Sequence, residues 1–432
     1  MLKVFFIFVY AITSFALNLP KIKDIASIPQ NFGQFGVDLN SSFAIYQEEF
    51  VKRYYEPWDD DINISRIDFD FGEKYFQNKT HYGDNKQEIS QSFKDKLVAN
   101  ANKESFPSME KNGITIRNTD CRLLPTSKPF FLDFSKESGG YPFDYMQNSI
   151  IHINTPIKVL HYSKDFAFVY VKSPYVEGWI SSSDIAFVSK KDIKRVKNMK
   201  LNTPINDDIS ISDANNFISK VYIGAVFWED KNSNLYIFKG DYNSKGVLTK
   251  IKSYGENGEN KSANFQQIPQ MPSKETLQKI ASSLYGQNYG WGGFLQNRDC
   301  SMMIRDFYTT FGLFMPRNSY DQANDKSEEI LSLAGKTREE KIAIIKEKGI
   351  PFATLLYMKG HIMMYIGTFD DEIVIFHSFW SIKTLNKGRF IVGGSFVTSL
   401  TPGIELAEFD HENGTLLDKL ISMRILGTKN NL

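Results

Sequence analysis

The chain has 432 residues, 42% of them hydrophobic and 14% aromatic, with a formal net charge of +1. Such a length calls for more than one domain, because single hydrophobic cores stop growing at about 250–300 residues. The balanced charge excludes a nucleic-acid-binding field and a polybasic membrane anchor, and two cysteines with no CxxC or HxxxH cluster exclude a disulfide framework and point to no metal. The aromatic share favours many short strands and surfaces for carbohydrate or peptide.

The first sixteen residues, MLKVFFIFVYAITSFA, carry one early lysine, an apolar run and then small residues. That is the pattern of a secretory signal cleaved after Ala16. Thr13, Ser14 and Asn18 interrupt the run before the roughly 18 apolar residues of a membrane span. Leu17, not a lipid-carrying cysteine, follows the cleavage point. The mature protein is expected to be periplasmic or secreted, with no membrane anchor.

Residues 17–105 are polar and irregular apart from FVKRYYEPW (Phe50 to Trp58), which reads as a short helix ended by Pro57 whose aromatics dock on another domain. From residue 106 the texture changes to short alternating runs. IKVLHYSKDFAFVYVKSPYVEGWI gives strands around Ser163-Lys164-Asp165, and VYIGAVFWEDKNSNLYIFKGDYNSKGVLTKI repeats the pattern. Two small β-barrels are expected, over 106–195 and 196–268, with the boundary inside the lysine-rich SKKDIKRVKNMK. After the proline-marked IPQMPS, residues 269–432 read as one α+β domain. Its first helix has Ser273 as N-cap, Leu277, Ile280, Ala281 and Leu284 at helical spacing, and Gly286 as the stop.

The stretch YGWGGFLQNRDCSMMIRDFY, from Tyr289 to Tyr308, places a cysteine between an acid and a serine. Met303, Ile304, Phe307 and Phe311 then follow helical spacing, so Cys300 is predicted at a helix N-terminus, where the macrodipole favours a thiolate. Downstream lie two histidines in strand contexts, His361 in KGHIMMYIG and His377 in IVIFHSFW. If Ile362–Gly367 and Ile373–Trp380 form a hairpin whose paired numbers sum to an even value, both imidazoles share one face. An odd register would separate them. A thiol, a base and a group orienting that base are the parts of a cysteine hydrolase. Cys121, His81, His152 and His161 lie in structural contexts, and His411 is expected at the surface in the acidic DHENG turn.

YGWGG, RDCS, FMPRNSYDQ, GHIMMYIG and the later histidine, in that order, resemble the NlpC family of cell-wall cysteine endopeptidases. These are papain-like hydrolases of peptidoglycan stem peptides. GGYPFDYMQNS, the HYSKD…GWI unit and FVKRYYEPW resemble its multidomain branch, in which bacterial SH3-like domains precede the peptidase. The resemblance implies an α+β papain-like peptidase domain after two small SH3-like barrels and an N-terminal helical or irregular stabilising segment. It also implies roles: Cys300 as nucleophile, His361 as general base, His377 as the residue orienting it, and Tyr289 completing an oxyanion hole with the Cys300 N–H. Asp299 and Ser301 would bind the amine of a terminal L-alanine, with Tyr145 of the first barrel closing that pocket. A carboxylate beside the nucleophile disfavours the thiolate, so a bound cationic amine is the expected counter-charge. The implied reaction is cleavage of the γ-D-glutamyl–meso-diaminopimelate bond, with stem peptides as partners and no cofactor. Met302, where many relatives carry glycine, and the lead-in Asn297-Arg298-Asp299, in place of a glycine-containing one, depart from the family at the substrate edge. A non-catalytic wall-binding scaffold and an amidase at muramoyl-L-alanine are the alternatives.

Overall fold

A computed structural model describes residues 21–35, 46–65, 67–77, 79–136, 138–214, 216–254, 264–270 and 272–427. The expected signal lies outside the described residues.

The N-terminal part supplies α1 (Lys23–Ser27), α2 (Gln47–Tyr55), α3 (Phe71–Phe76) and α4 (Gln91–Asn100). α2 runs into a 3-10 turn over Glu56–Trp58 containing Pro57, which ends the helix as its missing N–H requires. Phe50, Tyr54, Tyr55 and Trp58 form one buried cluster with Ile114, Ala186, Leu201 and Trp228. They plug the space between the two sheets that follow. Each polar tip is satisfied: Trp58 Nε1–H donates to the Gly113 carbonyl (2.7 Å), Tyr54 to the Asn154 carbonyl (2.9 Å), and Trp228 Nε1–H to the Tyr55 hydroxyl (2.8 Å).

The first sheet contains β1 (Lys111–Thr115), β2 (Thr119–Arg122), β3 (Gln147–Ile151), β4 (Pro156–Tyr162), β5 (Phe168–Lys172), β6 (Glu177–Ser181) and β7 (Ile185–Phe187), in the order β3-β2-β6-β5-β4-β1-β7. The lysine-rich stretch forms α5 (Lys190–Lys197), which buries Ile193 and Val196. The second sheet follows: β8 (Lys200–Pro204), β9 (Ile209–Asp213), β10 (Asn216–Val221), β11 (Phe227–Glu229), β12 (Leu235–Gly240), β13 (Gly246–Tyr254) and β14 (Phe265–Ile268), in the order β10-β9-β13-β12-β11-β8-β14. The two expected barrels are therefore corrected to open seven-stranded sheets. Closure would need the outermost strands to pair. Instead the Phe187 N–H of edge strand β7 donates to the Ser244 carbonyl in the turn between β12 and β13 (2.8 Å).

The C-terminal part contains α6 (Lys274–Leu284), α7 (Cys300–Thr309), α8 (Ser319–Ala323), β15 (Glu329–Ser332), α9 (Arg338–Lys348), β16 (Thr354–Met358), β17 (His361–Phe369), β18 (Glu372–Thr384), β19 (Gly388–Ser399), α10 (Leu416–Lys419) and β20 (Ser422–Ile425). Its antiparallel sheet runs β15-β20-β16-β17-β18-β19. α6 and α7 pack on one face, where Leu277, Ile280, Met303, Ile304 and Phe307 meet Met364, Ile366, Val374 and Phe376. On the other face Ile345 and Leu417 meet Leu356, Met363 and Ile375. Ser273 caps α6 as expected, within a capping box.

Strand β19 is a sheet edge and would expose a row of free backbone groups. Two segments cover it. Gly286–Tyr289 bonds to Gly393 and Ser395. The N-terminal segment continues the coverage: Gln30 both donates to and accepts from the Val397 backbone (2.9 and 3.0 Å), and the Ser399 N–H donates to Asp24 (2.6 Å). Phe32 of the same segment, 1% exposed, enters the catalytic-side core. Burial of such a ring contributes about 1.5–3 kcal/mol.

Candidate active site

The glycine-rich turn that precedes the cysteine is shaped by what it packs against. Tyr289 N–H donates to the Gly393 carbonyl (2.9 Å) and Gly290 N–H to the Arg298 carbonyl (3.1 Å). Gly292 and Gly293 have φ of 62° and 84°, and a Cβ on Gly293 would lie 2.6 Å from Ile150 of the first sheet. Glycine is required there on both counts. The chain then enters α7, with Asp299 as N-cap accepting from the Met302 N–H (2.8 Å), so Cys300 is the first helical residue, as predicted.

The thiol pKa is not lowered, contrary to the sequence-based expectation. Burial, followed by the adjacent Asp299 carboxylate, pushes Cys300 up to about 12, against smaller lowering by the Ile362 N–H, Arg317 and the Ser301 N–H. Helix-end donors lose here to desolvation and a neighbouring charge. Cys300 is thus a protonated thiol, which needs a base before it can react as a nucleophile.

Asp299 already has a counter-charge. Arg317 grips it with both guanidinium arms (2.8 and 3.1 Å), while the Ser301 hydroxyl and Gly292 N–H donate at 3.1 and 3.0 Å. Burial raises the Asp299 pKa, but Arg317 and these donors more than offset it and hold the carboxyl below its usual range. Arg317 also donates to Ser149 of the first sheet (2.6 Å), tying that sheet to the cysteine turn. The counter-charge expected from a substrate amine is thus supplied by the protein.

The two histidines meet through a feature that the turn alone would have forbidden. β17 and β18 join at Asp370-Asp371, with φ of 47° and 66°, the left-handed pair of a two-residue type I′ hairpin. Next to this turn the register is odd: Phe369 faces Glu372 and Gly367 faces Val374. The even register that would bring the histidines to one face does not hold next to the turn. A β-bulge between Tyr365 and Gly367 then inserts one residue, and beyond it Tyr365 faces Ile375 and Met364 faces Phe376. The parity becomes even, so His361 and His377 return to one face. Their ring nitrogens, His361 Nε2 and His377 Nδ1, are 2.9 Å apart.

The bonds that follow decide the tautomers. Thr398 donates its one hydroxyl proton to the Ser399 carbonyl (2.8 Å) and lies 3.0 Å from His377 Nε2. His377 Nε2 must therefore be the donor, which leaves Nδ1 to accept from His361 Nε2–H. Both rings are neutral: burial lowers the His361 pKa to about 4, and burial followed by the neighbouring His361 lowers that of His377 well below its ordinary value. His361 Nδ1 is left with a lone pair, the atom a general base needs. Phe379 stacks on His377 with centroids 4.1 Å apart and planes 8° from parallel, which fixes the ring plane.

Cys300 lies between two cavities, and Tyr289, Trp291 and Gly360 line both. One, of about 260 Å³, includes His361. The other, of about 940 Å³, includes Asp299, Ser301, Tyr145 and Arg317. Burial, then Cys300 and Asp299, raise the Tyr289 phenol pKa well above its ordinary value, so it stays a proton donor beside the sulfur. Tyr145 donates to the Ser138 carbonyl (3.0 Å) and packs on Trp291 (5.9 Å). Arg298 turns away from the cleft to Asp207 (2.5 and 2.9 Å), Asp306 (2.7 Å) and the Ile223 carbonyl (2.9 Å), joining α7 to the second sheet, and Met302 is fully buried. Arg298 and Met302 line neither cavity at Cys300.

The remaining candidates sit apart from the cleft. Cys121 is fully buried in the core of the first sheet. His152 bridges to Asp306 (3.1 Å), His161 contacts the Ala101 carbonyl (3.2 Å), His81 contacts the Lys79 carbonyl (3.1 Å), and His411 is exposed against Phe409. Sequence reasoning missed Thr398, which carries no motif signal, and the partner of Arg317, although that arginine stands inside a quoted motif. Among the described residues no group of three or more His, Cys, Asp and Glu could hold a metal ion, and no helix is long and apolar enough to cross a membrane.

Residues 286–387 match the NlpC/P60 family, residues 129–181 an SH3 domain of the SH3b1 type, and residues 3–106 the N-terminal NLPC_P60 stabilising domain. The fold is similar to that of an NlpC/P60 endopeptidase from Photobacterium damselae subsp. piscicida, at 25% identity and a TM-score of 0.83 over 93% of this chain and 98% of that one. An NlpC/P60 family protein from Bacillus cereus aligns at 13% identity and a TM-score of 0.46 over 72% of this chain and 98% of that one. No curated protein matches the chain.

Proposed function

We propose, from the premise that this chain belongs to the NlpC/P60 family and carries that family's stabilising domain and an SH3 domain ahead of its peptidase domain, that it is an exported cysteine endopeptidase of peptidoglycan stem peptides. The bond cut is γ-D-glutamyl–meso-diaminopimelate, in stems with a free N-terminal L-alanine. The observation that carries this reading is the relay from Thr398 through His377 to His361, which leaves a basic Nδ1 in the cavity that Cys300 also lines.

In the first step the Cys300 thiol gives its proton to His361 Nδ1 as sulfur attacks the γ-carbonyl carbon. The oxyanion that forms takes hydrogen bonds from the Tyr289 hydroxyl and the Cys300 N–H, one of the helix-end donors with no intrahelical acceptor. Each such donor is worth about 3–4 kcal/mol in the transition state. The imidazolium then protonates the departing amine, the C–N bond breaks, and an acyl-enzyme with a free leaving peptide remains. His361 next takes a proton from water, which attacks the thioester and releases the acid and the thiol.

Asp299, Ser301 and Tyr145 would receive the L-alanine end. Because Arg317 neutralises Asp299, selection of a free amine there rests on hydrogen bonds and shape more than on net charge. Tyr141 and Phe143 of the first sheet's loop approach Trp380 across the cleft (both 6.1 Å) and would keep bulky cross-linked wall out. A second reading, an amidase at muramoyl-L-alanine, is favoured by the cavity of about 940 Å³ on the Asp299 side, which has room beyond a dipeptide. Mass spectrometry of products from L-Ala-γ-D-Glu-meso-diaminopimelate and from a muramoyl stem, with Cys300→Ala beside the wild type, separates them. Release of L-Ala-D-Glu by the wild type alone supports the endopeptidase; release of muramic acid from the intact stem replaces it with the amidase.

A further inference from the structure

Thr398 sets the His377 tautomer, and what holds Thr398 comes from the other end of the chain. Thr398 belongs to β19, the outermost strand of the catalytic sheet, where its register partner in β18 is Ile375. In an antiparallel edge strand, successive residues point their backbone groups alternately at the neighbouring strand and at the open side. The residues on either side of Thr398 face the open side, and the N-terminal segment meets both. Gln30 Nε2 donates to the Val397 carbonyl (2.9 Å), the Val397 N–H donates to Gln30 Oε1 (3.0 Å), and the Ser399 N–H donates to the Asp24 carboxylate (2.6 Å). Ser399, the residue that Asp24 holds, also offers the carbonyl that takes the Thr398 hydroxyl proton (2.8 Å). A shift of either flanking peptide is therefore felt at the hydroxyl oxygen 3.0 Å from His377 Nε2.

The same segment packs on the other groups that hold the ring. Ile22 and Ile25 share one buried cluster with Phe379, which stacks on His377. Phe32 lies edge-on to Phe376, the residue before His377, with centroids 4.9 Å apart. Gln30 is itself fixed, because its Nε2 also donates to the Ile28 carbonyl (3.1 Å). Hiding a sheet edge needs only a covering side chain or a charge. Burying a carboxylate is costly unless it is hydrogen-bonded, and Asp24, 8% exposed, directs its bond at a peptide flanking Thr398. Such an arrangement fixes the position of β19 as well as covering it.

We propose that Gln30 and Asp24 are positioning residues for the relay: they clamp β19 on both sides of Thr398 and so hold His377 in the tautomer that keeps His361 Nδ1 basic. The inference rests on the endopeptidase reading above for its kinetic test. Neither residue lines the two cavities at Cys300, so loss of the clamp leaves the substrate contacts in place. Turnover falls, and KM does not.

The test is a double-mutant cycle in the full chain, with L-Ala-γ-D-Glu-meso-diaminopimelate as substrate and thermal midpoints to confirm folding. Gln30→Met removes both bonds to Val397 at similar volume and should lower kcat by about 3- to 10-fold with KM within about 2-fold. Asp24→Ala should act in the same direction, and Asp24→Asn, which keeps an acceptor for the Ser399 N–H, should restore most of kcat. In a Thr398→Val background, where the relay is already broken, neither Gln30→Met nor Asp24→Ala should lower kcat further. Effects that multiply in the double variants, or a wild-type kcat in either single variant, overturn the proposal. If Gln30→Met does not fold, the Asp24 cycle decides by itself. If the wild type does not cut the peptide, the functional reading fails separately, and nitrogen NMR of the His377 ring in Cys300→Ala then decides the clamp. One fixed neutral tautomer that becomes a mixture on adding Gln30→Met or Asp24→Ala supports it, and unchanged ring signals reject it.

Discussion

Cys121 and Cys300 are both buried, and burial is the largest cause of a raised thiol pKa at each. Their surroundings differ. Cys121 sits among Ile151, Val159, Val169 and Ile180 in the first sheet, whereas Cys300 opens on two cavities beside a neutral imidazole. Thiol acidity in the resting protein therefore does not separate the cysteine read as structural from the one proposed as nucleophile. An adjacent proton acceptor and a route for substrate do.

The largest expected effect comes from exchanging each thiol for a methyl group. Cys300→Ala should lose at least about 1000-fold in tripeptide hydrolysis, as removal of a covalent nucleophile does. Cys121→Ala should keep kcat/KM within about 2-fold and cost about 1 kcal/mol of stability in a thermal melt, the usual size for a small core truncation. Loss of activity in both would erase the contrast.

Next in size is the buried Asp299–Arg317 pair beside Cys300. Arg317→Met leaves the Asp299 carboxylate buried without its cation and should destabilise the fold by about 3–5 kcal/mol in denaturant unfolding. Arg317→Met together with Asp299→Asn should recover much of that loss. No recovery would mean that the pair does not act as a unit.

The relay offers a sharper test of the base. Thr398→Val removes the acceptor that sets the His377 tautomer and should lower kcat by about 10-fold with KM nearly unchanged, while Thr398→Ser restores it. Equal kcat in the valine variant would show that the tautomer is set by other contacts.

The smallest effect is in the pH profile. With the His361 pKa lowered to about 4 by burial, the base stays neutral down to that pH, so kcat/KM should fall only as pH drops below about 4–5. An acid limb near 6.5 would place His361 in water. The same shift contributes to stability: the unfolded histidine binds a proton below about 6.5 and the folded one only near 4. That contribution is complete above 6.5 and is lost as pH falls through this window. Because the thiol pKa is about 12, alkylation of Cys300 by iodoacetamide should keep rising into alkaline pH.

Much of the catalytic part was legible because its signals are local. The Ser273 cap, the Leu277–Leu284 stripe and the apolar spacing after Cys300 are all set within one or two turns of helix. The histidine pairing was legible only as a conditional on parity. The observed Asp370-Asp371 turn alone implies an odd parity, and the bulge between Tyr365 and Gly367 reverses it. The openness of the two sheets was not legible, because strand alternation reports faces and not which edges pair, and the outer edge of β7 bonds to the distant β12–β13 turn.

The sequence by itself determined which residues are candidates for chemistry, where the helix under Cys300 starts, and that an acid and a serine flank the thiol, since caps and periodicity act over a few residues. Tertiary structure alone decided that Arg317 neutralises Asp299, that Thr398 sets the relay, that Gln30 and Asp24 seal the edge of β19, and that the thiol rests protonated. Each of these depends on desolvation or on a partner distant along the chain. Burial and distant partners exist only once the core has closed.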